Sequence, residues 1–200
     1  MKKYKIKKIA KSILPTKYGQ FDIIIYKDNN GSEHVVLLSG KNFSTNKSVL
    51  VRVHSECITS EVFHSQKCDC KQQLDLAMKK IGKVGGVIIY LRQEGRGIGL
   101  GNKIKAYHLQ EQGLDTVEAN VKLGFASDKR DYKVACLILD DLGINKIKLL
   151  TNNPDKIKEL KKCGIEIEAR VSIEIKPKNG QDKKYLKTKK DKMGHLLRQV

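Results

Sequence analysis

The chain has 200 residues, of which 40% are hydrophobic and 31% are charged, a composition typical of a globular protein with its own core. No apolar run approaches the roughly 20 residues of a membrane-spanning helix, and no apolar segment or cleavage site of a signal peptide follows the basic N-terminus. We therefore predict a cytoplasmic protein that does not contact membranes. A reducing cytoplasm also argues against disulfide bonds between its five cysteines.

The chain is strongly basic. Its 40 lysines and arginines against 22 acidic residues give a net charge of +18. Such a charge is typical either of a well-solvated surface or of a protein that binds a polyanion, such as a nucleoside triphosphate or a nucleic acid. Lysine dominates over arginine, and the sequence contains no aromatic RNA-binding motif or obvious recognition helix. The charge alone does not decide between these interpretations.

The first half of the chain begins with predicted strands. Apolar and β-branched runs indicate strands at residues 21–26, 35–40 and 50–54, the first two separated by the turn-like stretch DNNGS. From Gln72 the period changes, because apolar residues then recur on one face of an amphipathic helix. A buried strand is predicted next, at residues 86–92.

The second half alternates between helices and strands. A polar, glycine-rich loop is predicted at residues 93–102. The elements predicted after it are helices at 103–112 and 130–142, a strand and turn at 146–154, a helix ending at Cys163 and a strand at 165–173. This alternation predicts an α+β fold, a mixed β-sheet packed with helices, in a single domain over residues 1–175. The lysine-rich residues 176–200 are predicted to be a basic, mobile C-terminal tail.

Three of the five cysteines, Cys57, Cys68 and Cys70, lie close together in the sequence. The single residue between Cys68 and Cys70 permits a tight turn, so both thiolates can reach one Zn²⁺ ion, with Cys57 returning from the end of a strand. Catalytic zinc sites use three protein ligands and leave a position for water, whereas structural sites use four. The spacing therefore favours a catalytic zinc. A structural site completed by His54 or His64, or no metal at all, are the open alternatives.

The other two cysteines lie outside this cluster. Cys136 and Cys163 fall within the apolar helical patterns ACLIL and ELKKCGI. Free cysteines in such segments behave as small buried hydrophobic residues. We therefore predict a packing role for both.

Two polar segments are candidates for anion binding. Residues 93–102, QEGRGIGLGN, lie between a strand and a helix, where a glycine-rich backbone can present N–H groups to an anion. Residues 127–131, SDKRD, combine acidic and basic side chains at a predicted helix start. Each is also typical of an ordinary turn or helix N-terminus, so neither identifies a ligand by itself.

Longer motifs surround these segments. They are RVHSEC (52–57), CDCKQQL (68–74), RQEGRGIGLGNKIKAYHLQEQG (92–113), DTVEAN (115–120), LGFASDKRDY (123–132), LLTNNPDK (149–156) and YLKTKKDKMGHLL (185–197). With these motifs the chain resembles GTP cyclohydrolase II from about residue 8 to residue 198. Several long motifs in the same order are more specific than any one of them.

The resemblance implies an enzyme that opens the riboflavin pathway. It implies conversion of GTP to 2,5-diamino-6-(5-phospho-D-ribosylamino)pyrimidin-4(3H)-one with release of formate and pyrophosphate. It also implies one catalytic Zn²⁺ per subunit on Cys57, Cys68 and Cys70, Mg²⁺ bound with the GTP triphosphate, and a homodimer. No nucleic-acid or membrane partner is expected, and the length leaves no room for the fused butanone-phosphate synthase domain of some family members.

The resemblance assigns residues to a GTP site. The residues that match the family's GTP-contacting positions are Arg52, Val53, His54, Ser55, Glu56, Gln73, Glu94, Gly95, Arg96, Thr116, Thr151 and Lys156. From their chemistry, we expect Glu94 to accept hydrogen bonds from the guanine N1–H and amino group, and Arg96 to pair with a phosphate.

Three further residues match catalytic positions of the family. Arg130 matches the proposed nucleophile on the α-phosphate, but a guanidinium stays protonated and is a poor nucleophile. Electrostatic stabilisation of the phosphoryl transition state is the alternative role. Asp128 is expected to orient or polarise Arg130, or to act as a general base. Tyr107 matches the residue that positions the hydrolytic step at C8, which favours complete release of formate.

The sequence departs from the family pattern at two positions near the CDC motif. Lys67 stands where arginine is usual, and Lys71 where glycine is frequent. Arginine and lysine are not equivalent where bidentate contact matters, so these changes bear on affinity rather than on the metal ligands.

Two other functions compete with the main one. They are a related hydrolase that stops at a formamidopyrimidine or at GMP and pyrophosphate, and a basic, zinc-stabilised nucleic-acid-binding protein.

Overall fold

A computed structural model describes residues 4–40, 47–126, 128–177 and 180–198. The chain divides into two compact units. The first, which we call the sheet unit, comprises Met1–His54, Gln73–Arg92 and Tyr132–Ile173. The second, which we call the cysteine unit, comprises Ser55–Gln72, Gln93–Asp131 and Glu174–Val200.

The sheet unit is built on one mixed sheet. Its strands are β1 (Ile6–Thr16), β2 (Gly19–Asp28), β3 (Glu33–Ser39), β4 (Val49–Ser55), β5 (Gly86–Leu91), β6 (Lys146–Leu150) and β7 (Glu166–Val171). The order across this seven-stranded sheet is β1-β2-β3-β5-β4-β6-β7. Neighbours from β1 to β5 pair antiparallel, whereas β4 pairs with β6, and β6 with β7, in parallel.

The central strands carry the core of this unit. In β5, Val87 and Ile89 on one face and Ile88 on the other are fully buried, as expected of a strand that is covered on both faces. Gly86 opens β5 at a φ of 142°, and a side chain there would come within 2.3 Å of the Leu50 carbonyl oxygen. Glycine is therefore required where β5 approaches β4.

The helices are α1 (Ile58–Glu61), α2 (Cys70–Val84), α3 (Leu100–Glu111), α4 (Thr116–Lys122), α5 (Lys133–Asp141), α6 (Pro154–Lys162) and α7 (Gly180–Met193), with a 3-10 turn at Glu94–Gly97. In the sheet unit, α5 buries Val134, Ile138 and Leu139 at helical spacing. Asn153 caps α6, because its side chain accepts the Asp155 N–H at 2.8 Å. None of the described helices is long and apolar enough to cross a membrane.

In the cysteine unit, α4 begins with a capping box. The Asp115 carboxylate accepts the backbone N–H groups of Val117 and Glu118, at 2.7 and 3.0 Å. The Glu118 side chain in turn accepts the Asp115 N–H at 2.9 Å. These reciprocal bonds satisfy the free N–H groups of a helix that is too short to be stable alone.

The predicted fold class is confirmed, since helices pack on a mixed sheet. The sequence pattern misses β1, whose residues are mostly exposed and rich in lysine, and the short helices α1 and α4. The helix predicted from residue 130 begins at Lys133, and Ser127 lies outside the described residues.

The predicted C-terminal tail contains a helix. Residues Gly180–Met193 form α7, in which Leu186 is 3% exposed. Residues 178–179 and 199–200 lie outside the described part of the chain. The division into a domain at 1–175 and a mobile tail at 176–200 stays a prediction.

The prediction that the cysteines form no disulfide is wrong for one pair. Cys136 in α5 and Cys163 at the end of α6 are bonded, with their Cα atoms 6.1 Å apart. Cys136 is buried as predicted, but Cys163 is exposed. The two helices pack against each other and bring together thiols that are separated by 27 positions, which a local helical pattern does not reveal.

Candidate functional site

Three thiols meet in the cysteine unit. Cys57 precedes α1, Cys68 lies in a loop and Cys70 opens α2. Their sulphur atoms all lie within 4.8 Å of one another, and those of Cys57 and Cys68 are 3.6 Å apart. Among the described residues, these three cysteines form the group that could hold a metal ion. Neither His54 nor His64 belongs to this group. The donor set therefore consists of three cysteines.

The cluster is arranged around one thiolate. Hydrogen bonds from the thiols of Cys68 and Cys70 lower the pKa of Cys57 far below its usual range, and the charge of Lys103 acts in the same direction. Their hydrogen bonds to Cys57 raise the pKa of Cys68 and Cys70. A metal cation can replace the two protons of such a cluster. Because sulphur donors suit thiophilic ions such as Zn²⁺, the residues fit the metal that the family resemblance implies.

A buried lysine contacts this cluster. The Nζ of Lys103, in α3, lies 3.1 Å from the Sγ of Cys57 and 2.7 Å from the Oε1 of Glu94. Burial would lower the pKa of this ammonium, but the charge of Cys57 and the hydrogen bond to Glu94 raise it above its usual value. Lys103 therefore stays charged beside the sulphur. The sequence pattern does not single out Lys103, because lysines are mostly exposed.

Glu94 ties the glycine-rich loop to the segment that follows Cys57. Its Oε2 accepts the Ile58 N–H at 2.7 Å. Its Oε1 accepts the Gly95 N–H, also at 2.7 Å, as well as the Lys103 ammonium. Both oxygens thus already accept hydrogen bonds within the protein, and the role of Glu94 in guanine recognition stays a prediction.

The glycine-rich loop has a left-handed backbone. Gly95 and Arg96 both have a φ of 60°, a conformation that costs a non-glycine residue about 1–2 kcal/mol. Arg96 is held in it, because its carbonyl accepts the Lys129 N–H at 3.0 Å. A side chain at Gly97 would meet the Lys129 carbonyl oxygen at 3.0 Å. The loop therefore lies directly against the segment at residues 128–131.

Asp128 and Arg130 form a fork. The Nε of Arg130 donates to the two carboxylate oxygens of Asp128, at 2.9 and 3.0 Å, and its Nη2 donates to Oδ2. Burial would raise the pKa of Asp128, but the hydrogen bonds and charge of Arg130 hold it below its usual range. The Asp128 carboxylate therefore fixes the orientation of the Arg130 guanidinium, and the catalytic roles of both residues stay predictions.

Tyr107 lies one helical turn after Lys103. Its hydroxyl is 3.4 Å from the Oγ1 of Thr59, which in turn is 3.8 Å from the Sγ of Cys57. Burial raises the pKa of Tyr107 to about 12. The ammonium of Lys67 lies 4.6 Å from the centre of the tyrosine ring. Tyr107 therefore stands beside the thiols in its protonated form, and its role in hydrolysis stays a prediction.

In the sheet unit, Arg52 joins two other predicted residues. It is 4% exposed, and its Nη1 donates to the Leu150 carbonyl at 3.0 Å. Its Nη2 donates to the Oε1 of Gln73 at 2.7 Å and lies 3.3 Å from the Nδ1 of His54. Three predicted GTP-contacting residues therefore form one hydrogen-bonded group.

Lys156 and Thr151 follow β6. The Nζ of Lys156, a residue that is 4% exposed, donates to the Val53 carbonyl at 2.7 Å. Thr151 is buried, and its Oγ1 accepts the Asn153 N–H at 3.0 Å. Because β4 and β6 are parallel neighbours, their carboxyl ends lie at one edge of the sheet, the edge where ligands bind in open sheets.

Gln93 is a further residue that the sequence pattern does not single out. Its Nε2 donates to the Oγ of Ser55 at 2.9 Å, and its Oε1 accepts the Asp131 N–H at 3.2 Å. The predicted residue Glu56, next to Ser55, is half-buried. Gln93 thus fixes the start of the glycine-rich loop against two segments that carry predicted site residues.

Thr116 lines a cavity that contains none of the thiols. The cavity, in the cysteine unit, has a volume of about 210 Å³. Its lining residues are Lys67, Gln110, Glu111, Leu114, Asp115, Thr116, Tyr185 and Thr188. None of them is a cysteine.

The predicted residues are divided between the two units. The sheet unit holds Arg52, Val53, His54, Gln73, Thr151 and Lys156. The cysteine unit holds Ser55, Glu56, Cys57, Cys68, Cys70, Glu94, Gly95, Arg96, Tyr107, Thr116, Asp128 and Arg130. The thiols, Lys103 and Tyr107 form one group within the cysteine unit, and Arg52, His54 and Gln73 form another within the sheet unit.

Known proteins resemble the chain over almost its full length. The family model of GTP cyclohydrolase II matches residues 7–172. GTP cyclohydrolase-2 of Neisseria meningitidis serogroup C is 52% identical over 190 residues, which cover 94% of this chain and 95% of that protein. Riboflavin biosynthesis protein RibBA of Endomicrobium trichonymphae is 49% identical over 197 residues, which cover 98% of this chain and 48% of that protein.

Among solved structures, RibBX of A. baumannii, a two-domain 3,4-dihydroxy-2-butanone 4-phosphate synthase, matches 85% of this chain and 40% of its own, at 20% identity and a TM-score of 0.48. That likeness is too weak to bear on function.

The family match and the full-length relatives define the chain as an enzyme. It belongs to the GTP cyclohydrolase II family.

Proposed function

We propose that the chain catalyses the zinc-dependent conversion of GTP to 2,5-diamino-6-(5-phospho-D-ribosylamino)pyrimidin-4(3H)-one, formate and pyrophosphate, the first step of riboflavin biosynthesis. The observation that carries this proposal is the cluster of Cys57, Cys68 and Cys70, with the Lys103 ammonium against one sulphur. Membership of the family and the names of the relatives, GTP cyclohydrolase-2 and RibBA, support the substrate and the pathway.

The three cysteines would hold one Zn²⁺ per subunit. When bound, the ion supplies Lewis-acid activation of water for hydrolysis at C8 of the guanine ring. Lys103 donates a hydrogen bond to Cys57, and its positive charge offsets the excess negative charge that three thiolates leave around a divalent ion. Lys103 thereby keeps Cys57 in a single orientation, as outer partners of metal ligands commonly do.

Tyr107 would act beside the opened ring. It keeps its proton at neutral pH because burial raises its pKa to about 12. A protonated hydroxyl can donate a hydrogen bond to the opened ring and position it for the second hydrolysis, which releases C8 as formate. This role favours complete conversion over an early stop.

Arginines and lysines among the predicted residues would bind the triphosphate together with Mg²⁺. We assign Arg130 to electrostatic stabilisation of the transition state at the α-phosphate, because a guanidinium in a fork with Asp128 stays protonated. Arg96, Arg52 and Lys156 would contact the other phosphates, with Lys156 as a point charge. The remaining predicted GTP-contacting residues complete the proposed site.

We further propose that the enzyme works in the cytoplasm as a homodimer, without a nucleic-acid or membrane partner. The family resemblance supports the dimer. The net charge of +18 would then serve to capture an anionic nucleotide rather than a nucleic acid. Sedimentation velocity would report the oligomeric state, and a monomer that is fully active would contradict the dimer.

The test is a product assay. Purified protein is incubated with GTP and Mg²⁺, with and without a zinc chelator, and the products are identified by mass spectrometry. We expect formate, pyrophosphate and the diaminopyrimidinone phosphate from the wild type, and no formate from Cys68→Ser or after chelation. The matched control is Cys163→Ser, which removes one sulphur of the disulfide in the sheet unit and is expected to keep full activity.

The same assay separates the competing functions. A formamidopyrimidine, or GMP with pyrophosphate, as the only product would support a hydrolase that stops early. A folded, zinc-loaded protein that leaves GTP intact would contradict the proposal. Steeply salt-dependent binding to DNA or RNA by that protein would then support the nucleic-acid-binding function.

A further inference from the structure

A buried ion pair includes the residue between two of the clustered cysteines. Asp69 stands between Cys68 and Cys70 in the sequence and is 3% exposed. Its Oδ1 accepts a hydrogen bond from the Nζ of Lys189 at 2.7 Å. The two side chains are 4% and 11% exposed. Lys189 belongs to α7, at a sequence separation of 120 from Asp69, so the C-terminal helix reaches the cysteine loop.

Two further contacts hold Lys189 in place. The ring of Tyr185, one turn earlier in α7, lies 4.3 Å from the Lys189 ammonium, close enough for a cation–π interaction. The Lys189 carbonyl accepts the His195 N–H at 3.0 Å, just after the helix ends. Lys189 is therefore fixed from both sides of its position in the helix.

The helix is also anchored to α4. The Lys192 ammonium pairs with the carboxylate of Asp115 and lies 3.0 Å from that of Glu118. These are the two residues of the α4 capping box. Tyr185 and Thr188 of α7 line the same cavity as Thr116. One helix therefore contacts both the cysteine loop and the start of α4.

A buried ion pair of this kind contributes little net stability, because desolvation offsets most of the attraction. Removing one partner is costly, however, since the other charge is then left buried and uncompensated. Such a pair therefore fixes geometry more than it adds stability. Here the fixed carboxylate is flanked directly by two sulphur ligands, so its position limits how far Cys68 and Cys70 can move.

We propose that Lys189 is a positioning residue, which acts through Asp69 to hold Cys68 and Cys70 in the arrangement that binds the metal. The C-terminal helix is then a working part of the active site. This inference rests on the zinc site of the proposed function, but it gives Lys189 and α7 a role that the motif at residues 185–197 does not by itself assign.

The first experiment measures zinc release. Zinc-loaded protein is mixed with an excess of a chromogenic chelator, and the release rate is compared for the wild type, Lys189→Met, Asp69→Asn and the double variant. Because outer partners of metal ligands typically change metal affinity by roughly 10–100-fold, we expect each single variant to release zinc about tenfold faster. The double variant should release it no faster than the single ones, since no buried charge is left unpaired.

The matched control is Lys187→Met, in the same helix. Lys187 is exposed, and its substitution removes the same charge without touching Asp69. Release at the wild-type rate is expected. Release from Lys187→Met as fast as from Lys189→Met would overturn the proposal, because net charge alone would then explain the effect. Wild-type release from both Lys189→Met and Asp69→Asn would overturn it as well.

The second experiment uses metal-free protein, so that its result does not depend on zinc. Hydrogen exchange is followed at the amides of residues 66–71, which include the Lys71 N–H bonded to the Oγ of Ser60 at 3.1 Å. We expect faster exchange in Lys189→Met and Asp69→Asn than in Lys187→Met, with unchanged protection in β5. Equal exchange in all variants would overturn the positioning role. If the wild type retains no zinc but Lys189→Met and Asp69→Asn still show the faster exchange, the result would contradict the proposed metal and still support the role of Lys189.

Discussion

The two units hold their predicted site residues by different means. In the sheet unit, the cations of Arg52 and Lys156 donate to backbone carbonyls of Leu150 and Val53. In the cysteine unit, charged side chains pair with each other over short loops and helices. These pairs are Lys103 with Glu94, Arg130 with Asp128, and Lys189 with Asp69.

The difference follows from the local structure. The backbone hydrogen bonds between neighbouring strands already fix the end of a strand. A side chain at the carboxyl end of a strand therefore needs few further contacts to hold its position. Loops lack these hydrogen bonds, and in the cysteine unit ion pairs hold the side chains in position instead. We therefore expect charge substitutions to damage the chemistry in the cysteine unit, and mainly substrate binding in the sheet unit.

The largest effect is expected for Arg130→Lys. Lysine keeps the charge but loses the fork with Asp128, and the loss of one placed donor at a transition state typically costs roughly 100-fold in rate. Quenched-flow measurement of pyrophosphate release would check this. Lys129→Met, which removes the exposed neighbouring cation, is the control and should stay near the wild-type rate. A covalent guanylyl adduct in the intact mass of the wild type would assign Arg130 as the nucleophile instead.

A smaller loss, in metal binding, is expected for Lys103→Met. The variant leaves Cys57 and Glu94 without the ammonium between them, and zinc affinity should fall by about tenfold or more. Competition with a chelator of known affinity measures the change. Lys105→Met, on the exposed side of the same helix, should bind zinc like the wild type. Equal affinities for both variants would mean that the ion pair of Lys103 has no bearing on the metal.

Tyr107→Phe should change the product rather than abolish turnover. Without the hydroxyl, the second hydrolysis is expected to slow about tenfold or more, so that a formamidopyrimidine accumulates. Since the pKa of Tyr107 is about 12, the wild-type product ratio should stay constant between about pH 7 and pH 9. Complete formate release by the variant would remove Tyr107 from the mechanism.

In the sheet unit, Lys156→Met should raise KM about tenfold with little change in kcat, because a lost phosphate contact weakens the bound substrate and the transition state alike. Steady-state kinetics with GTP would measure both constants. Lys158→Met removes an exposed lysine from the same helix and serves as the control. A fall in kcat of the size expected for Arg130→Lys would erase the contrast between the units.

The smallest effect on the reaction is expected for Cys163→Ser. The disulfide lies in the sheet unit and joins residues separated by 27 positions, so loop closure predicts about 3.5 kcal/mol of stability for the oxidised protein. Calorimetry of the oxidised wild type and the variant should show a lower Tm for the variant. Zinc content and kcat should not change, and a loss of zinc would show that the metal site depends on the disulfide.

Much of the fold could be predicted from local pattern. Apolar runs predict the buried strands β2 to β6. The helical spacing of apolar residues predicts α2, the helix that starts at Cys70. The exposed strand β1 could not be predicted in this way, because its lysine-rich sequence carries no apolar alternation. Short helices such as α4 depend on a capping box and on tertiary contacts more than on propensity.

The same limit applies to the site. The thiol cluster could be predicted because its spacing is local and its motif specific. The partners of the cluster could not, because Lys103 reads as a surface lysine and Lys189 lies in a segment whose composition suggests a tail. The disulfide between Cys136 and Cys163 was hidden for the same reason, since only helix packing brings the two residues together.

The most direct test of the three-cysteine site is zinc-edge X-ray absorption on protein loaded with one equivalent of zinc. The spectrum should fit three sulphur ligands at about 2.3 Å and one lighter oxygen or nitrogen ligand. That result would establish an open catalytic position held by Cys57, Cys68 and Cys70. Four sulphur ligands, or zinc that is lost on desalting, would contradict it.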